Sequence, residues 1–141
     1  MKQLLLDAGP LIALFARRDA DHALVRDYLR HSAAHLLTTW PVVAEAWHLL
    51  VPSQRLTLVR WIKSGGATIA PFDDEAGTQL IDWLEKYRDL PMDLADASLV
   101  LLALKTGIIE ILTLDRRDFL TYRLTGNKRF RLVLESNPGQ A

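Results

Sequence analysis

The chain has 141 residues, with Lys plus Arg and Asp plus Glu at 17 each, so no net field draws it to nucleic acid or a membrane, and any such binding must come from local patches. It contains no cysteine, which excludes a disulfide scaffold and thiolate zinc sites and leaves oxygen or imidazole as metal ligands. The length suits one ordinary domain, expected over 1–135, with "SNPGQA" at 136–141 as a loose tail.

In chain order, "QLLLD" reads as a buried strand, and Pro10 after Gly9 is placed as the first residue of a following helix. Lys2 before this apolar run resembles a signal peptide, but Asp7, Gly9 and Pro10 break it. No other stretch is long enough to span a bilayer, so a soluble, cytoplasmic protein is expected. "DHALVRDYLRH" carries Leu24, Val25, Tyr28 and Leu29 at helical spacing. A strand at "HLLTT" leads into a helix "PVVAEAWHLL", and "SQRLTLVRWIKSGG" runs from a Ser53 cap to a glycine stop. "ATIAPF" is a third strand, "DDEAGTQLIDWLEKYRD" an amphipathic helix, and "DLADASLVLLALKTG" an almost wholly apolar helix ending at Gly107. "IIEILTLD" and "FRLVLE" are two more strands. Short apolar strands separated by helices predict an α/β domain with a parallel sheet covered on both faces, where ligands collect at the carboxyl ends of the strands.

Four acids fall where the pattern predicts burial or that rim. Asp7 ends the first strand and Asp115 ends "EILTLD"; Glu45 follows Val42 by three and precedes Leu49 by four, in the buried stripe of its helix; Asp96 stands in a helix with scarcely any polar side. Singly, Asp7 and Asp115 read as strand-ending residues that start a turn or cap a helix, and Asp93 as a cap with Asp96 three positions on. Together they need another explanation, because two like charges 4 Å apart repel by about 4 kcal/mol at an effective dielectric near 20 and require a cation or a proton between them. All-oxygen donors select Mg²⁺ or Mn²⁺.

"LLLDAGPLIALF", "TTWPVVAEAWHLL", "MDLADASLVLLAL" and "ILTLDRRDF", in that order, resemble the four acidic motifs of PIN domains, in particular the VapC-like ribonuclease toxins. The resemblance implies a five-stranded parallel sheet in the order 3-2-1-4-5. It implies a metal site of Asp7, Glu45, Asp96 and Asp115, and a ribonuclease leaving a 5′-phosphate and a 3′-hydroxyl. Thr113 matches the hydroxyl two before the fourth acid, and Asp118 with Phe119 matches the "DF" after it. Ala8 stands where many relatives place Thr or Ser, so that hydroxyl is missing. A homodimer and an antitoxin encoded next to a type II toxin are also implied.

Other features bear less on the chemistry. His22, His31, His35 and His48 show no ligand spacing and read as surface or satisfied core residues. Gly65 and Gly66 end a helix and form no phosphate loop. Trp40, Trp47, Trp61 and Trp83 read as core or interface, and Trp61 and Trp83, beside polar positions, suggest self-association. Arg116, Arg117, Arg123, Lys128, Arg129 and Arg131 make either a solvated loop or a phosphate-binding surface beside Asp115, with Arg116 and Arg117 the RNA contacts.

The expected function is therefore an Mg²⁺- or Mn²⁺-dependent ribonuclease acting on single-stranded or looped RNA, in which Asp7 and Asp96 are the principal ligands and Glu45 and Asp115 complete the site. The rival is a non-catalytic PIN-fold protein that binds RNA or protein. A magnesium-dependent phosphatase lacks support, because Asp7 is followed by Ala8 and Gly9 rather than by a second aspartate two positions on.

Overall fold

Leu4, Leu5 and Leu6 form an apolar run with no polar alternation, which suits a strand covered on both faces. The computed structural model describes residues 2–90 and 92–134 and places this run at the centre of the sheet, each leucine at most 1% exposed. The strands are β1 (Gln3–Leu6), β2 (His35–Thr39), β3 (Thr68–Ala70), β4 (Glu110–Leu112) and β5 (Arg131–Leu132). All pair in parallel in the order β3-β2-β1-β4-β5, the expected α/β architecture. The order reverses between β1 and β4, and the register Leu6↔Leu112 brings Asp7 and Thr113 together just past the strand ends. Asp7 N–H still donates to the Leu112 carbonyl at 3.0 Å.

The helices are α1 (Ala8–Phe15), α2 (His22–His31), α3 (Trp40–Leu49), α4 (Pro52–Lys63), α5 (Asp74–Lys86), α6 (Leu94–Thr106) and α7 (Arg116–Thr121), with a 3-10 turn at Thr125–Asn127. Helix α6 packs against both α3 and α5, which is why its residues from Ala95 to Ala103 are buried in succession and no polar face shows in its sequence. Gly107 ends it in the left-handed region at φ 76°. Among the described residues no helix is long and apolar enough to cross a membrane.

Several local expectations are corrected. Pro10 is the third residue of α1, not the first; its missing N–H costs nothing there, since the first-turn N–H groups have no intrahelical partner. Helix α4 starts at Pro52, so Ser53 lies inside it and does not cap it; Gln54 Oε1 instead accepts from the Val51 N–H at 3.1 Å. The segment after Asp115 is helix α7 and not a loop. Its six residues bury Phe119 alone and give no periodic signal. "FRLVLE" contributes only Arg131–Leu132 to the sheet, and its Glu135, like the expected tail 136–141, lies outside the described residues.

The tryptophan argument for self-association also fails. Trp83 is buried, its indole N–H donating to Met92 Sδ at 3.3 Å, and Trp61 packs on the core edge-on to Phe15 at 5.5 Å. The exposed large apolar residues are others, including Trp40, Trp47, Leu49, Val51 and Phe72. His22, His31 and His35 are satisfied, as expected, by the Ala13 carbonyl, the Asp27 carbonyl and the Thr68 hydroxyl at 2.7, 2.7 and 2.9 Å.

Helix α4 ends in a left-handed turn at Gly65 (φ 92°), with the Gly66 N–H returning to the Trp61 carbonyl at 2.9 Å and the Gly65 N–H to Ile62 at 3.0 Å. A Cβ at Gly66 would overlap the Trp61 indole. Gly66→Ala is therefore expected to displace that ring from Phe15 and destabilise the fold by about 1–3 kcal/mol. Urea unfolding checks this, and a midpoint equal to that of the wild type contradicts it.

Candidate functional site

Every strand of a parallel sheet delivers its carboxyl end, and the start of the helix after it, to one rim. The buried polar residues among those described, Asp7, Thr38, Thr39, Asp96, Ser98 and Thr113, lie at strand ends or in the first turns of α6. Thr38 Oγ1 donates to the Leu6 carbonyl at 2.8 Å, and the Thr39 and Ser98 hydroxyls meet at 2.6 Å. No fully buried side-chain nitrogen or oxygen among the described residues lacks a partner.

Asp7 caps α1. Its Oδ1 accepts from the Ala8 N–H at 2.8 Å and its Oδ2 from the Thr113 hydroxyl at 2.7 Å, while Thr113 Oγ1 accepts from the Asp115 N–H at 3.0 Å. Thr113 thus gives Asp7 a hydroxyl partner from the segment after β4. Asp115 stands three residues beyond β4, where it caps α7 and accepts from the Asp118 N–H at 3.1 Å. Asp93 caps α6 in the same way, accepting from the Asp96 N–H at 2.8 Å. Capping and rim readings therefore hold at once for these acids.

Carboxylate oxygens of Asp96, Asp115 and Asp118 lie within 4.8 Å of one another. Asp118, expected beside the site, is one of the three that converge. Asp7 is not, although it lies near enough to feel the charge of Asp115. Glu45 is exposed, against expectation. The buried residues of α3 are Val42, Val43 and Ala46, and at 100° per residue Glu45 lies roughly 100° from the centre of that stripe. Its carboxyl nevertheless lies near enough to feel the charges of Asp93, Asp7 and Asp115.

Burial, above all, raises the carboxyl of Asp7 above its ordinary range, and the charges of Asp115 and Asp93 add to this while the bonds from Thr113 and Ala8 oppose it. Glu45, though exposed as a residue, has its carboxyl raised by partial desolvation first and then by Asp93, Asp7 and Asp115. Asp96 is pushed up to about 7, first by burial and then by Asp93, Asp7 and Asp115, against the Tyr122 hydroxyl that donates to its Oδ2 at 2.6 Å. Asp118 is raised by burial and by its hydrogen bond and charge repulsion with Asp115, partly offset by Arg117. Among the described residues no cation figures in the groups acting on Asp7, Glu45 or Asp96. The donor set fits a hard divalent cation, whose octahedral oxygens lie about 3–4 Å apart, with little adjustment of the side chains.

The basic residues divide. Arg123 Nη1 accounts for the end of α7, donating to the carbonyls of Leu120, Thr121 and Tyr122 at 2.7, 2.9 and 3.1 Å. Arg116 Nη1 reaches the Leu134 carbonyl at 3.3 Å, and Arg131 lies 3.9 Å from Glu110. Arg117 is exposed beside Asp118. Tyr122, which no motif singled out, was missed because it gives no local signal: its partner Asp96 is 26 positions away. The Asp115-to-Asp118 spacing repeats that of Asp93 and Asp96 and was the available clue to α7.

Folding in the absence of metal should depend on pH with a definite sign. A carboxyl whose folded value is raised favours folding fully below its ordinary value of 3.8 and loses that contribution as pH rises through about 7 for Asp96. In EDTA the wild type is expected to be more stable at pH 5 than at pH 8 by about 1–2 kcal/mol after solvent screening, with Asp96→Asn flattening the profile. Thermal melts across that range check it, and a wild type that gains stability toward pH 8 contradicts it.

A family model described as "PIN domain" matches residues 4–123. Ribonuclease VapC26 of Mycobacterium tuberculosis (strain ATCC 25618 / H37Rv) is 31% identical over 134 residues, which cover 92% of this chain and 99% of that protein. The crystal structure of Mycobacterium tuberculosis VapC20, a "Sarcin-Ricin loop cleaving toxin", aligns with a TM-score of 0.73 over 81% of this chain and 91% of that one, at 19% identity, a likeness of fold.

Proposed function

The chain belongs to the PIN domain family, and on that footing we propose that it is a metal-dependent endoribonuclease, the toxin of a type II toxin–antitoxin pair, acting on RNA in the cytoplasm. The observation that carries the reading is the meeting of Asp96, Asp115 and Asp118 at the switch point of the sheet, beside Asp7, with burial and then neighbouring acidic charges raising Asp7 and Asp96 and, among the described residues, no cation opposing this. The likeness to a ribonuclease along nearly the whole chain supports the reaction class.

In this reading Asp7, Glu45, Asp96 and Asp115 hold Mg²⁺ or Mn²⁺, with Asp118 at the same opening and Asp93 and Thr113 fixing the acids beside them. The bound ion supplies charge neutralisation on the phosphate and acidification of a water. Asp7, gripped at both oxygens, presents a carboxylate that cannot swing away. Glu45, exposed at the rim, has the freedom to accept a hydrogen bond from the attacking water and aim it at phosphorus. Arg117, and Arg116 where it is not engaged by Leu134, hold flanking phosphates. An open rim suits single-stranded or looped RNA, whose bases are unstacked, and cleavage leaves a 5′-phosphate and a 3′-hydroxyl. A second copy of the chain and an antitoxin encoded beside it are the protein partners of this reading. Exposed Trp40, Leu49, Val51 and Phe72 supply apolar surface for them.

The purified chain is expected to cleave a single-stranded RNA with Mn²⁺ and to stop in EDTA. Asp96→Asn, which keeps the shape and an acceptor for Tyr122, should lower the rate by about 100-fold or more without lowering the melting temperature in EDTA. Cleavage that survives either EDTA or this substitution refutes the metal-site reading. In the Asp96→Asn background, where bound RNA stays intact, Arg117→Ala should reduce the slope of log affinity against log salt by about 1. A filter-binding titration with an unchanged slope would leave Arg117 as ordinary solvated surface.

A further inference from the structure

Tyr122 is buried, at 3% exposure, and its hydroxyl donates to Asp96 Oδ2 at 2.6 Å. The contact joins α6 to the residue that caps the carboxyl end of α7, the helix that Asp115 caps at its start and that carries Asp118. The ring has little freedom to turn. It stands edge-on to Phe119 at 5.3 Å, Phe119 is wholly buried and edge-on to Phe130 at 5.3 Å, and the Tyr122 N–H returns to the Asp118 carbonyl at 3.1 Å. A phenol so packed, with two side-chain torsions, aims its hydroxyl with small loss of entropy. Among the described residues no protein group donates to Asp96 Oδ1, and no unpartnered side-chain oxygen is sealed from solvent, so Oδ1 is within reach of solvent.

We propose that Tyr122 is a positioning residue of the metal site: by holding Asp96 Oδ2 it leaves Oδ1 as the single oxygen offered to a divalent cation, and it sets the distance between Asp96 and the Asp115–Asp118 pair on α7. The inference rests on the metal-site reading above. Its physical content is that one phenol hydroxyl does for Asp96 what Thr113 and the Ala8 N–H do for Asp7, fixing a crowded carboxylate in one orientation before the ion arrives. A tyrosine that served packing alone would have no reason to fix the acid's orientation, and removing its hydroxyl would leave cation affinity alone.

The test is Tyr122→Phe in the full chain, which keeps the ring and its contacts and deletes the donor. Calorimetric titration with Mn²⁺ is expected to show about tenfold weaker binding or worse. Cleavage should need correspondingly more Mn²⁺, while KM for RNA at saturating Mn²⁺ stays unchanged. Phe119→Leu, which loosens the packing that aims the ring but leaves the hydroxyl, should lower the melting temperature and weaken Mn²⁺ binding less than Tyr122→Phe does. Equal Mn²⁺ affinity in Tyr122→Phe and wild type overturns the inference while leaving the site reading intact; a wild type that takes up no Mn²⁺ and cleaves no RNA overturns both. A second measurement needs no variant. In crystals of the wild type soaked with Mn²⁺, Oδ2 should remain on Tyr122 and Oδ1 should face the ion, and an Asp96 that leaves Tyr122 to give both oxygens to the metal overturns the assignment.

Discussion

The hydroxyl of Thr113 joins the two halves of the acidic rim. It donates to Asp7 Oδ2 and accepts from the Asp115 N–H, so one oxygen atom spans the point where the strand order reverses. The register Leu6↔Leu112 makes that contact available, and the leucines of β1 make the register compulsory, because a slip by one residue would turn buried leucine outward. Everything chemical about the protein hangs on this apolar pairing.

A second economy lies in the use of helix starts. Asp7, Asp93 and Asp115 each cap a helix, and Asp96 and Asp118 occupy the third position of theirs. A carboxylate placed there is partly compensated by unpaired N–H groups and the positive end of the helix dipole. This lets a fold crowd acids at a rim before any cation is present. Burial first, and then the charges of neighbouring acids, still raise the carboxyls of Asp7 and Asp96.

The sheet and the longer helices were legible because their apolar periodicities are long, and Asp7 and Asp96 stood out as charges inside apolar runs. Strand order was not a matter of pattern and came through the resemblance. Glu45 was misjudged because a spacing of three from one buried residue does not fix a helix face; Val43 and Ala46 together do. Helix α7 is too short to show a period. Tyr122 was invisible because its partnership with Asp96 is set by how α7 packs on α6, a relation no local stretch encodes. The misplaced hopes on Trp61 and Trp83 have the same origin, since the groups that cover them lie on other elements.

The 106 positions between Asp7 and Thr113 also set a clock. A chain growing at 5–20 residues per second takes roughly 5–20 s to extend from the first of these residues to the second, and closing so long a loop then waits on the slow pairing of β1 with β4. During that interval Asp7 has neither its hydroxyl partner nor its acidic neighbours from α6 and α7. The nascent polypeptide therefore remains without its acidic rim until β4 and α7 have left the ribosome.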